Sequence, residues 1–155
     1  MADVAQTFID QSRRFLLADY LPKIERCVAE LADEDLWWRP NEASNSVGNL
    51  LLHLAGNVRQ WIIHGVGGVP NVRQRQQEFD TREGVSAGVL LARLRETLEE
   101  ADRVLDSLDP EALLAPRQIQ GIDVTILGAV YHVVEHFSTH VGQIKIGRAS
   151  CRERV

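Results

Sequence analysis

TILGAVYHVVEHFSTHVGQI, residues 125–144, decides how the rest of the chain is read. It carries three of the five histidines, His132, His136 and His140, each four residues after the last. On an α-helix, residues four apart stand one turn above each other on one face, with Cβ atoms about 5–6 Å apart. Two imidazoles so spaced can reach a single metal ion, because a zinc–nitrogen bond is only about 2.0–2.1 Å long. The other positions are largely apolar. Ile126, Leu127, Val130, Val133, Val134, Phe137, Val141 and Ile144 cover most of the circumference, as in a helix enclosed by its neighbours. Imidazoles in such a setting need partners, since an unpaired buried polar group is costly. A metal ion is one such partner. Backbone, carboxylates and water are the others, and the ladder alone does not choose between them.

At 155 residues the chain is long enough for one domain with a substantial core. The net charge of −5 gives no electrostatic reason to expect nucleic acid or an anionic membrane surface as partner. No apolar run reaches the roughly 18 residues of a membrane span. The N-terminus, MADVAQTFIDQSRRF, lacks a basic segment followed by an apolar one, so it does not read as a secretory signal. Two cysteines, Cys27 and Cys151, make no disulfide framework. These features together predict a cytoplasmic protein.

Apolar periodicity predicts three further helices. In residues 4–31, Phe8, Phe15, Leu16, Tyr20, Ile24, Val28 and Leu31 recur every three or four positions, with a kink or short break expected near Pro22. Cys27 falls near the buried face, as a small hydrophobe. Residues 47–66, VGNLLLHLAGNVRQWIIHGV, form a second helix, with Asn45 or Ser46 as its N-cap. His53 lies among its leucines, with Asn57 one turn later and Trp61 a turn beyond; these two are candidates for lining a pocket. His64, near the helix end, is expected to face solvent and interact with the helix dipole. In residues 86–108, Leu91, Leu94, Leu98, Ala101, Leu105 and Leu108 make a narrow seam, and the charged remainder makes a solvated face.

The connections differ greatly in length. Residues 32–40, ADEDLWWRP, suggest one helical turn, with at least one of Trp37 and Trp38 packed on the core. GVGGVP, residues 65–70, ends the second helix; no strand precedes its glycines and no GK[ST] follows, so it is not a phosphate loop. Residues 71–84 read as a polar loop, long enough to cover a site as a lid. Residues 111–124 read as a connection turning at Gly121, with Asp123 or Thr125 capping the last helix. Four long helices and no clear strand alternation predict an all-α four-helix bundle, an architecture that builds metal sites from facing helices. His53 and the ladder can meet in its core. No carboxylate is evidently placed beside them: Glu135 adjoins His136 but points about 100° away round the axis.

Two motifs carry a resemblance. HLAGN, residues 53–57, and HFSTHVGQ, residues 136–143, resemble the DinB/YfiT-like superfamily of metal-binding four-helix bundles, and the likeness extends over essentially the whole chain to Lys145. The resemblance implies a site formed by His53, His136 and His140, with His132 as an extra rung that it does not make a ligand. It further implies a divalent ion, zinc or nickel among others, and in many members a homodimer. Some members resemble transferases that join low-molecular-weight thiols, such as bacillithiol or mycothiol, to electrophiles. Three imidazoles leave an open coordination position, the mark of a catalytic site, and an ion there can acidify a bound thiol or water. They do not by themselves choose zinc over nickel or copper. The expected function is a metal-dependent thiol-S-transferase or hydrolase acting on a small molecule. The alternatives are a non-catalytic metal or ligand binder and a structural dimerisation bundle.

The end of the chain departs from this pattern. IGRASCRERV, residues 146–155, matches one reading frame of a widely used sequencing adapter. The expectation is a domain over residues 1–145, truncated at its C-terminus, followed by a non-native tail. Without that tail the net charge moves from −5 to −7, because three arginines and one glutamate leave. Gly147 is expected to end the fourth helix or let it fray, since glycine costs about 1 kcal/mol in a helix interior.

Overall fold

The computed structural model describes the backbone of residues 3–152 and the side chains of residues 3–148. The chain is mostly helical. Helix α1 (Val4–Arg14) runs through a wide turn at Phe15–Tyr20 into α2 (Leu21–Val28), and a short α3 (Asp33–Leu36) follows. Helix α4 (Val47–Val58) ends in a second wide turn, Arg59–His64. A short α5 (Arg75–Asp80) leads to α6 (Ala87–Asp106), a tight turn at Pro110–Leu114, strands β1 (Pro116–Ile119) and β2 (Ile122–Thr125), and finally α7 (Ile126–Arg152).

The four long helical runs enclose one core. Leu94, Leu98, Ala101 and Leu105 of α6 are all buried, as their spacing requires, and Leu90 takes the place expected for Leu91. They meet Leu51, Leu54 and Val58 of α4, Ile24 and Val28 of α2, and Val130, Val133 and Phe137 of α7 in one cluster. Cys27 is buried in the same cluster. Outside it, Arg13 of α1 grips Asp102 of α6 through two nitrogens at 2.7 and 3.1 Å, with Asp106 at 2.6 Å.

The wide turns have local causes. Pro22 has no N–H to give to the carbonyl four residues back. The chain absorbs this upstream by bonding Leu21 N–H to Leu16 O, five residues back, and α2 begins with Pro22 in its first turn. The second wide turn runs through the core, with Gln60, Trp61, Ile62 and Ile63 all buried. His64 is half-buried at the end of this turn, with Nδ1 2.6 Å from Val69 O in an exposed hydrogen bond.

Three connections differ from their sequence reading. Residues 111–124 contain a hairpin, paired Pro116 to Thr125 and Ile119 to Ile122. Its two-residue turn puts Gln120 at φ 55° and Gly121 at φ 75°, the double positive φ of a tight hairpin turn. The segment read as a loop over residues 71–84 contains α5, whose one buried residue is Glu78. Helix α7 passes through Gly147 to Arg152 instead of ending there. A single glycine lowers helix stability without forbidding helix, and this one packs closely: a Cβ on it would stand 3.1 Å from Val47 Cγ2. Ile146 is 69 % exposed, and Arg148 pairs with Glu30 at 3.0 Å on the surface. The side chains of Cys151, Arg152 and Arg154 lie outside the described residues.

Helix α4 is placed by its first turn. Ser46 caps it, accepting from Asn49 N at 3.1 Å, while Asn49 Oδ1 accepts from Ser46 N at 3.1 Å. Asn49 is fully buried and does more than close this box. Its Nδ2 donates to the carbonyls of Glu78 and Thr81, both at 2.8 Å, fastening the end of α5 to α4. Thr125 caps α7 by accepting from Gly128 N at 3.0 Å. Removing the Asn49 amide strands two carbonyls and a cap. Asn49→Ala should therefore lower unfolding free energy by about 2–3 kcal/mol in urea titrations. The exposed Gln76→Ala should stay within about 0.5 kcal/mol of the parent.

Candidate metal centre

Helices α4 and α7 run antiparallel side by side, and their polar residues meet in register along the seam. His53 Nε2 lies 3.0 Å from His136 Nε2, and His136 Nε2 lies 3.1 Å from His140 Nε2. One ligand nitrogen from each of the three rings falls within 4.8 Å of the other two. His53 is 7 % exposed, and His136 and His140 are half-buried. One turn further along, Asn57 Nδ2 is 3.4 Å from His132 Nε2, and the Trp61 ring lies 4.1 Å from the His132 ring, centre to centre. The structure thus brings His53, His136 and His140 together and sets His132 apart with Asn57 and Trp61.

The outer nitrogens of two rings are anchored. His53 Nδ1 is 3.0 Å from Glu78 Oε2, and His140 Nδ1 is 2.6 Å from Gln143 Oε1. A carboxylate and an amide oxygen only accept, so both Nδ1 atoms carry the proton and both Nε2 atoms present lone pairs. These lone pairs aim at His136 Nε2, which can donate to one of them at most. The third ring's Nδ1 is buried with no hydrogen-bond partner. Neutral imidazoles cannot satisfy this arrangement among themselves. A cation at the convergence would accept all three lone pairs, and the three donors match what zinc or nickel take.

Glu78 was hidden in the polar segment, and no sequence pattern marked it as part of this site. Arg73 holds it at both oxygens, Nε to Oε1 at 2.7 Å and Nη2 to Oε2 at 2.8 Å, and reaches Gln60 Oε1 at 2.8 Å. Arg73 Nη2 also stands 3.1 Å from His53 Nδ1. A bare Nδ1 would set its lone pair against the carboxylate oxygen 3.0 Å away, so the Nδ1 proton goes to the carboxylate and the guanidinium makes a side contact. Gln60 in turn accepts from Gln120 at the hairpin tip. The presumed lid is therefore a strap, bonded into the core through a buried ion pair. Phe79 covers the other side of His53, with ring centres 4.9 Å apart. Beyond Gln143 the same seam opens into a cavity of about 350 Å³, lined by Trp38, Asn45, Leu50 and Gln143 together with Ile146 and Gly147. Trp37 instead packs on Gly48 and donates to Val85 O at 3.1 Å.

Burial disfavours the charged form of the three rings on α7. Desolvation, then the neighbouring His140, His53 and His132, push His136 down to about 3. Burial also lowers His140, against its hydrogen bond to Gln143, and lowers His132, against the charge of Glu135. For Glu78 burial acts upward, but the hydrogen bonds from Arg73 and His53 outweigh it and hold the carboxyl below its ordinary value. The consequence for stability follows from proton uptake. Below about pH 6.5 unfolded imidazoles bind protons that folded His136 does not, so stability falls with pH until about 3. Chelator-treated protein should lose about 2 kcal/mol between pH 7 and pH 5 in urea unfolding. His136→Gln should lose less over that window. Glu78, lowered from an ordinary 4.5, contributes stability that is lost only at more acid pH.

Among the described residues no helix is long and apolar enough to cross a membrane. A search of curated proteins finds no match to the sequence. The family model described as mycothiol-S-transferase, by contrast, matches residues 13–153. That span includes α4, the strap and the histidine ladder of α7. With nearly its whole length matched, the chain belongs to the mycothiol-S-transferase family, a DinB/YfiT-like family.

Proposed function

We propose that the protein is a divalent-metal-dependent thiol-S-transferase, with His53, His136 and His140 as the metal ligands and a small thiol of the mycothiol class as the nucleophile. One observation carries this: three imidazole nitrogens from two helices converge at one point, two of them with lone pairs fixed inward by Glu78 and Gln143. Bound there, a zinc or nickel ion supplies Lewis acidity, which lowers the pKa of a thiol and makes thiolate available near neutral pH.

The chain's own residues prepare that chemistry. The three ligands are neutral, and the Arg73–Glu78 pair cancels its own charge. The ion's positive charge is thus left for an anionic sulfur. Glu78 and Gln143 orient two ligands, as outer partners of metal-bound histidines do. His132 spends its Nε2 lone pair on Asn57, which removes it from the ligand set. The family description favours a thiol over water as nucleophile. We also read the four long helical runs as a four-helix bundle of the DinB type, and residues 146–155 as translated adapter. A clean gene read through IGRASCRERV to a stop codon would sink the adapter assignment.

Untagged full-length protein should contain about one equivalent of zinc or nickel by elemental analysis. His132→Ala should retain it and His140→Ala should lose most of it; equal losses would mean that the wrong ladder pair is assigned. The metal-loaded protein should consume mycothiol in the presence of a reactive electrophile, and chelation should abolish this. A stoichiometric metal with no turnover of any thiol would leave a binding protein instead.

A further inference from the structure

The stretch HLAGN, residues 53–57, contains a glycine that three converging imidazoles do not require. Glycine is a poor residue for a helix interior, so Gly56 in the middle of α4 needs a physical reason. It faces the strap. A Cβ built on Gly56 would stand 2.0 Å from Glu78 Oε1, 2.8 Å from Glu78 Cδ and 2.9 Å from Arg73 Nε. The end of a free side chain would swing away from such a contact. This one cannot do so cheaply, because Oε1 is held by Arg73 Nε, Oε2 by Arg73 Nη2 and His53 Nδ1, and the residue is 9 % exposed. Any displacement of the carboxylate must break the bond to Arg73, the bond to His53, or both.

We propose that Gly56 is a positioning residue for the three-imidazole site. Its missing side chain admits the Glu78 carboxylate to His53 Nδ1, and so turns the His53 Nε2 lone pair toward His136 and His140. Glycine and the ligand lie three residues apart on one helix. The same turn of α4 therefore provides both the imidazole and the opening for the group that orients it. Its consequence for metal affinity rests on the metal assignment above, whereas its consequence for the His53 ring does not.

Gly56→Ala replaces a poor helix former with a good one, so α4 itself is not endangered. The test compares Gly56→Ala in the parent and in a Glu78→Ala background. In the parent, zinc affinity should fall roughly 10- to 100-fold, the size of effect seen when an outer partner of a metal-bound histidine is lost. In the Glu78→Ala background the added methyl meets no carboxylate, and the further loss should be less than about threefold, within ordinary non-additivity. Histidine ¹⁵N shifts in chelator-treated protein should show His53 protonated at Nδ1 in the parent and a mixture of tautomers in Gly56→Ala. That readout needs neither metal nor the Glu78→Ala protein, so it decides the matter even where the latter does not fold. Unchanged affinity with an unchanged tautomer in Gly56→Ala would overturn the role. So would an equal loss in both backgrounds, which would mean that the methyl disturbs the helix and not Glu78. If the parent takes up no metal, the ligand assignment fails separately, and the tautomer alone judges Gly56.

Discussion

A buried carboxylate held between an imidazole and a guanidinium ties the site together. Taking a charged group out of water costs several kcal/mol even after relaxation, and the attraction of a partner offsets this only with good geometry and further hydrogen bonds. Glu78 has both. Arg73 meets it in a two-point fork, and His53 supplies a third donor on the inner side. The Arg73 side chain is itself only 3 % exposed, so neither member of the pair can be spared without leaving a bare charge in the core. The pair acts less as a source of stability than as a constraint. It fixes where the strap crosses α4, and through Gln60 and Gln120 it also fixes the hairpin tip over the second wide turn.

What the sequence revealed of this follows from which contacts are apolar. The α6 seam and the helix of α7 were legible because burial there is hydrophobic and periodic, and the histidine ladder was legible because a helix turns every 3.6 residues. That His53 would face the ladder was legible only through its leucine setting and the likeness to a known family. Glu78 and Arg73 were not legible at all. They sit in a stretch whose composition says loop, and the contacts that bury them are ionic, with partners 20 and 25 residues away. Hydrophobic periodicity cannot register a buried charge. Asn49 escaped for the same reason: its role in the capping box is local, but its two bonds to the strap are 29 and 32 residues distant.

Pro22 announced the first wide turn as a break in the helix, but the width of both turns was hidden by a different mechanism. Each adds a residue to one turn of an otherwise regular helix, so the apolar pattern on either side stays intact while its phase shifts. Phe15, counted on the inner face by regular spacing, is 39 % exposed at the start of the first such turn. In the second, Gln60 and Trp61 both turn inward, although neighbours on a regular helix point about 100° apart. Gln60 reaches Arg73 of the strap and Trp61 lies on His132 of α7, so two adjacent residues of this turn serve two sides of one cluster. Wide turns of this kind are often found at functional sites.

The remaining polar atoms of the seam bear on whether these histidines could be structural alone. A structural polar network in a core tends to be complete, because each unsatisfied buried group costs about 1–3 kcal/mol. Among the described residues, His136 Nδ1, Asn57 Oδ1 and Trp61 Nε1 are buried without a hydrogen-bond partner, all on the α4–α7 seam or the wide turn that continues it. Apolar side chains at those positions would be the more stable choice, as leucine and valine already are on the neighbouring turns. A fold that turns two imidazole lone pairs toward a third ring, and leaves these three polar atoms unpaired among the described residues, accepts lower stability there. Sites of this kind are maintained by function at the expense of stability. On the proposed metal reading, a single ion would take up the inward lone pairs of His53 and His140, which Glu78 and Gln143 fix from outside.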